Sequence, residues 1–275
     1  RCVVRRLWLY DGKMSSHALS ARGVQKPLGF IHVPKTGGSS IEAMGLAIGH
    51  KWGRYHSEYR SGHHAILDRK LPVLLERYDW FLVVRNPYAR AISEYWCDFG
   101  GRGKPKNATK AEFNAWVRWR MGRVTGPAST WQGHWVPMWR YYTPVSPDVV
   151  IRVARFETLE RDLRTIFALY NLTMPAVMPR IMVQKEPPRW TVRDLDEETV
   201  AMVRRVYASD FALFSYSHDL SLVYSPNRSH WNTGGLPPVR AQKKVAPQQV
   251  QVGAGLRLRF DGGRDEASRA RPTRG

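Results

Sequence analysis

The stretch FIHVPKTGGSS, residues 30–40, decides how the chain is read. With Leu28 and Gly29 before it, Leu28 to Val33 is a short apolar run that stops at a Pro-Lys-Thr-Gly-Gly turn. A helical segment from Ser39 to about Ile48 follows, so the pattern is strand, loop, helix. Two adjacent glycines let backbone N–H groups approach an anion closely. The helix behind them offers its unpaired N–H groups and positive dipole end. Ser39 and Ser40 are expected to cap that helix and to donate to phosphate oxygens. Lys35 adds a mobile positive charge. This is the logic of a phosphate cradle. It is not a Walker A loop, because Lys35 precedes the glycines. The plainer alternative is an ordinary strand-to-helix turn carrying a surface lysine.

Working outward, FLVVRNPYARAISEYW at residues 81–96 repeats the plan. Trp80 to Val84 reads as a second buried strand, Arg85-Asn86-Pro87 closes it, and a helix runs from about Tyr88 to Trp96. A guanidinium at a strand end forks well onto a phosphate, which makes Arg85 a candidate ligand. The Ser93 hydroxyl is spaced to return toward the same anion. Arg90 and Glu94, four residues apart on the helix, read as a surface ion pair. Further helices are expected at Lys110–Met121, Leu159–Tyr170 and Glu197–Tyr207, and a third strand at Val149–Val153. Asp210–Tyr216 should pack behind the last helix. Strands alternating with helices imply an α/β fold with a central parallel sheet flanked by helices on both faces. In such sheets ligands bind beyond the carboxyl ends of the strands, where both loops fall.

The chain has 275 residues and a formal net charge of +20. Its 11 Trp, 12 Tyr and 9 Phe supply a core, which excludes a wholly disordered chain. Two cysteines, Cys2 and Cys97, exclude a disulfide-built miniprotein. No apolar run reaches the roughly 18–20 residues that span a bilayer. The organisation expected is a basic extension at 1–27, a globular domain at 28–226, and a basic, disordered tail at 227–275. Nucleic-acid binding is one use of such tails and solubilisation another. Asn107, Asn171 and Asn227 stand in N-glycosylation sequons, which favours a secretory lumen.

Both loops, in this order and spacing, resemble the paired cofactor motifs of the PAPS-dependent sulfotransferases (PAPS is 3′-phosphoadenylyl sulfate). They look most like the Golgi carbohydrate branch that includes the heparan, chondroitin and uronyl enzymes. ARFETLERDLRTI at 154–166 resembles that family's E-x-L-x-x-D segment, and YASDFALFSYS at 207–217 its Y-x-x-D-F-x-x-F-x-Y segment. The resemblance implies a P-loop-like, three-layer fold with PAPS as sulfuryl donor. Lys35, Thr36, Gly37, Gly38, Ser39 and Ser40 would hold the 5′-phosphosulfate, and Arg85 and Ser93 the 3′-phosphate. It also implies a carbohydrate acceptor, an anionic polysaccharide in view of the basic core, and a Golgi location in a eukaryotic cell. Membrane attachment would run only through an anchor outside this chain, and no nucleic-acid partner is expected.

Sulfuryl transfer needs a base for the acceptor hydroxyl, and His suits neutral pH. Gly62-His63 lies between the two loops, where the resembling uronyl enzymes keep a Gly-His pair. His63 is therefore the expected catalytic base, assisted by Lys35. His64 is its chemically identical neighbour, and Glu42 is the carboxylate alternative. Three nearby histidines, His56, His63 and His64, raise the option of zinc, but no closely placed Cys completes a usual set, and no metal is expected. TWQGHWVPMWRYY at 130–142 is a candidate acceptor wall through Trp131, Trp135, Trp139, Tyr141 and Tyr142, with His134 and Arg140; for any single aromatic, a core position is the expectation. Lys185 and Arg189 are looser candidates for cofactor contacts. The rival functions are a P-loop kinase or NTPase and a basic nucleic-acid-binding protein.

Overall fold

Asp79–Val84 is buried at all of its positions, as a strand covered on both faces must be. In the computed structural model this strand, β2, lies between β1 (Leu28–Ile31) and β3 (Ile151–Arg155), and both neighbours run parallel to it. The structure describes residues 26–56, 76–124, 133–142, 149–181 and 189–223. Leu28 pairs with Asp79 and Ile31 with Leu82, while Trp80 pairs with Ile151 and Val84 with Arg155. The expected tails at 1–27 and 227–275 fall almost entirely outside the described residues.

Side chains alternate across the sheet with the period of two that a strand imposes. Phe30, Phe81, Val83 and Ala154 join one core with Ile41, Met44, Leu163 and Phe167. Those last residues come from α1 (Gly38–Ala47) and α5 (Leu159–Ala168). Ile31, Trp80, Leu82 and Val84 meet Val136, Met138, Tyr141 and Phe214 on the opposite face. A third core joins α2 (Pro87–Tyr95), α3 (Lys110–Gly122) and α6 (Glu197–Val206). The expected α/β, three-layer, P-loop-like architecture is therefore present.

Local chemistry places the element ends. Asn86 caps α2 by accepting from the Tyr88 and Ala89 N–H groups at 3.0 and 3.4 Å, with Pro87 at the first helical position. Thr109 and Glu112 form a reciprocal capping box at the start of α3. β3 lies two residues beyond the expected Val149–Val153. The apolar run ends too early to mark it, because Arg152 and Arg155 sit within the strand with their heads tied down. Arg152 Nε donates to the Tyr170 hydroxyl at 2.9 Å, and Arg155 donates to the Phe214 carbonyl.

The short helices α4 (Trp139–Tyr142) and α7 (Ala208–Leu213) are joined by one acid. Asp210 is buried and accepts from the Met138 and Trp139 N–H groups at 2.9 and 2.8 Å. Burial pushes its pKa up to about 6, against the opposing effect of those two bonds and of Arg90. Tyr207 fixes the same segment by donating to the Trp135 carbonyl at 2.9 Å. No helix among the described residues is long and apolar enough to cross a membrane. Asp210→Ala leaves two buried N–H groups unpaired and is expected to cost about 2–4 kcal/mol, read from denaturant unfolding. A loss below about 1 kcal/mol would show that this carboxylate does not hold the two segments together.

Candidate active site

β1 and β2 end side by side, so residues 34–38 and 85–87 leave the same edge of the sheet. The first loop turns through two left-handed residues, Lys35 at φ 66° and Gly37 at φ 88°. Gly37 also lies against the Phe156 ring, and a Cβ on Gly38 would overlap the His32 ring. Gly37 is thus required by the backbone and Gly38 by the His32 ring packed against it. Gly37 is the N-cap of α1, and no side chain caps this helix. The expectation that Ser39 and Ser40 cap it is corrected here. They lie inside the first turn, where the Ser39 hydroxyl accepts from Arg54 Nη2 at 2.8 Å and the Ser40 hydroxyl from the Ile181 N–H at 3.0 Å. The Ser40 N–H is bound to the Gly37 carbonyl at 3.0 Å. The N–H groups of Gly37 and Gly38 make no such bond among the described residues, which leaves the helix start open to an anion. Thr36 is fully buried and donates its hydroxyl to the Val33 carbonyl at 2.8 Å, so it shapes the loop from below.

Arg85 reaches across to this loop. Its Nη1 donates to the Lys35 carbonyl at 3.2 Å, and its guanidinium stacks 4.3 Å over the Phe156 ring. Its Nε is buried without a hydrogen bond among the described residues. Such an orphan donor is costly, and an anion would satisfy it. Burial holds the Arg85 pKa below its usual value against the pull of Glu157. Ser93 is half-buried two turns along α2.

Beneath these loops lies a buried polar chain. The Arg90–Glu94 pair is not the surface pair that its spacing suggests: Arg90 is 1% exposed and Glu94 fully buried. Arg90 Nε donates to the Pro34 carbonyl at 3.0 Å and Nη2 to Glu94 Oε1 at 3.4 Å. Glu94 also lies 2.6 Å from His134 Nδ1 and accepts from the Trp135 N–H at 3.2 Å. Burial alone would raise the Glu94 pKa. The His134 hydrogen bond and charge, with Arg90 and Lys35, instead hold it below its ordinary 4.5. Cys97 lies close enough that Glu94, Cys97 and His134 place three potential ligand atoms within 4.8 Å of one another. Arg90 already supplies the positive charge that Glu94 faces.

Glu42, the carboxylate alternative for a base, is fully buried and engaged on both oxygens. His32 Nδ1 lies 2.8 Å from Oε1, and Arg54 donates from its N–H to Oε1 at 2.9 Å and from Nε to Oε2 at 2.6 Å. It anchors the wall behind the first loop. Trp135 and Tyr141 are core: Trp135 Nε1 donates to the Gly100 carbonyl and the Tyr141 hydroxyl to the Gly133 carbonyl. Trp139 is part-exposed, and His56 is buried edge-on against Tyr78. Arg189 is exposed and stacks over Trp190. His63, His64, Trp131 and Lys185 lie outside the described residues. Sequence reasoning missed Glu157, which accepts from the Asn86 N–H at 2.7 Å and the Tyr216 hydroxyl at 3.0 Å. Its place in the E-x-L-x-x-D pattern was the available signal. It also missed Arg54, which no motif marks.

The depressed pKa of Glu94 has a definite sign. Folding favours its ionised form, so its contribution is complete above pH 4.5 and is lost as pH falls toward the lower folded value. Glu94→Gln removes the charge facing Arg90 and is expected to cost about 3–5 kcal/mol at neutral pH. The gap in melting temperature from wild type should narrow in acid. A gap unchanged between pH 7 and pH 3 would show that Glu94 ionisation does not stabilise the fold.

The site therefore combines a glycine turn with open N–H groups, a half-buried lysine, an arginine with an orphan donor, and a buried scaffold that joins the two loops. No curated protein and no solved structure matches the chain. A family model described as the sulfotransferase family matches residues 25–217, which include all three strands and both loops. The chain belongs to the sulfotransferase family.

Proposed function

We propose that this protein transfers the sulfuryl group of PAPS to a carbohydrate hydroxyl. One observation carries the reading: two anion loops share the carboxyl edge of the sheet, bridged by Arg85, whose Nε still lacks a partner among the described residues. A donor with anionic groups at both ends of a nucleoside fits that arrangement. Arg85 and Ser93 would hold the 3′-phosphate. The N–H groups of Gly37 and Gly38, with Lys35 and Ser39, would hold the 5′ end. Ser40 and Thr36 would contribute by setting the shape of the loop. Family membership favours sulfuryl transfer over the kinase and nucleic-acid alternatives.

In the reaction, His63 would take the proton from the acceptor hydroxyl while that oxygen bonds to sulfur. The bond from sulfur to the bridging phosphate oxygen breaks in line, and the electron pair leaves on the 5′-phosphate of PAP, the desulfated product. Lys35 would neutralise the growing charge there. This scheme needs no metal. The net charge of +20 suits an anionic polysaccharide acceptor. Asn107 and Asn171 are exposed in left-handed turns, accessible for N-glycosylation, which agrees with a Golgi lumen in a eukaryotic cell.

PAP is expected to raise the melting temperature by binding the native state. Arg85→Ala should weaken PAP binding by about 1.5–3 kcal/mol, measured by titration calorimetry. Unchanged affinity would misplace the 3′-phosphate site. With radiolabelled PAPS and a polysaccharide panel, His63→Ala is expected to lower kcat by about 10²–10⁴-fold with PAP affinity intact. His64→Ala should be much milder. The reverse pattern would move the base by one residue, and full activity in both would remove histidine from the mechanism.

A further inference from the structure

Lys35 is a non-glycine residue held at φ 66°, a conformation that side chains disfavour. The two peptide planes flanking it carry the Pro34 and Lys35 carbonyls. Each carbonyl accepts from a guanidinium of the second motif: Pro34 from Arg90 Nε at 3.0 Å and Lys35 from Arg85 Nη1 at 3.2 Å. The relative orientation of those planes is the φ,ψ of Lys35, so pinning both carbonyls pins the residue. Arg85 is also the candidate ligand for the 3′-phosphate. Arg90 is 1% exposed and does not meet solvent. Its remaining nitrogen, Nη1, is buried without a hydrogen bond among the described residues. Its partner Glu94 lies within the electrostatic reach of Lys35.

We propose that Arg90 is a positioning residue for the sulfuryl donor. It holds Lys35 in the left-handed turn that aims the lysine and starts the Gly37-Gly38 cradle. This rests on the reading that the first loop takes the 5′ end of PAPS. The plain alternative is a buried ion pair that only stabilises α2. A general stabiliser treats both ends of the nucleotide alike, whereas a positioning residue for the first loop does not.

The test compares PAP with adenosine 3′-phosphate, which lacks the 5′ group, by calorimetry on the full chain. Arg90→Lys keeps a charge beside Glu94, but a single ammonium cannot reproduce the fixed fork between Glu94 and Pro34. PAP affinity is expected to fall about 10–100-fold, the loss of one charge-assisted hydrogen bond. Affinity for adenosine 3′-phosphate should stay within about twofold of wild type. Equal losses for both ligands, or none for PAP, overturn the proposal. A second measurement needs no nucleotide. Glycine adopts φ > 0 freely, so in a Lys35→Gly background the cost of Arg90→Lys in melting temperature should shrink. It should do so even where Arg90→Lys alone shows no cooperative transition. An undiminished cost, or a double variant that recovers no transition, overturns the hold on Lys35. A wild-type chain that binds neither nucleotide would remove the donor reading, and the melting-temperature cycle would still decide the role of Arg90.

Discussion

A carboxylate with no exposed surface, Glu94, is the point at which the site's separate pieces meet. It takes the guanidinium of Arg90 from its own helix, and the His134 ring and the Trp135 N–H from a segment some forty residues downstream. Burying one charge alone would be prohibitive, and a buried pair is tolerated only when its remaining bonding capacity is met. Glu94 therefore demands both partners at once, and supplying them forces α2 against the 133–139 segment. Arg90, fixed by Glu94, then reaches the Pro34 carbonyl. Tyr207 and Asp210 complete the arrangement by holding the backbone of that downstream segment. Burial opposes the charge on Arg90, but Tyr207, Glu94 and Asp210 more than offset it and raise its pKa.

The same economy recurs across a chain with 43 basic and 23 acidic residues. Glu42 accepts from Arg54 and meets His32 behind the first loop. Glu157 accepts from the Asn86 N–H and the Tyr216 hydroxyl behind the second. Asp162 accepts from the Arg155 N–H and the Thr158 hydroxyl at the end of β3. Each acid works as an acceptor for backbone or guanidinium donors at a loop that leaves the sheet. Glu42 is fully buried and Glu157 and Asp162 part-buried, whereas Glu112, Glu197 and Glu198 stay exposed.

The sheet was legible in the sequence because β2 is apolar from Trp80 to Val84 and both strand exits carry turn chemistry. The turn of the first loop was legible because two adjacent glycines between a strand and a helix mark one. The inward acids were not legible. Arg90 and Glu94 stand at i,i+4, the spacing that exposed helical pairs share, and periodicity is silent on what a distant segment places over them. Ser39 and Ser40 have the right identity for caps, yet Gly37 takes the cap position because only a left-handed residue lets the chain enter α1 at this angle. Arg152 and Arg155 hid the end of β3, since a strand that ties its charged heads down need not be apolar.

The two loops also stand a set distance apart. Phe156, the first residue after β3, sets that distance. A Cβ built on Gly37 would stand 3.3 Å from its ring, and the Arg85 guanidinium lies 4.3 Å over it. One ring thus touches both loops, and an aromatic ring neither compresses nor changes shape. A flexible side chain there would give the Arg85 head no flat surface to stack on. The stacking also explains why arginine suits this position better than lysine. A planar cation can lie flat on the ring, bond the loop through Nη1 and keep Nε directed elsewhere, whereas an ammonium offers one compact point of charge. The exit of β3 supplies that spacer, so the third strand meets both loops through geometry.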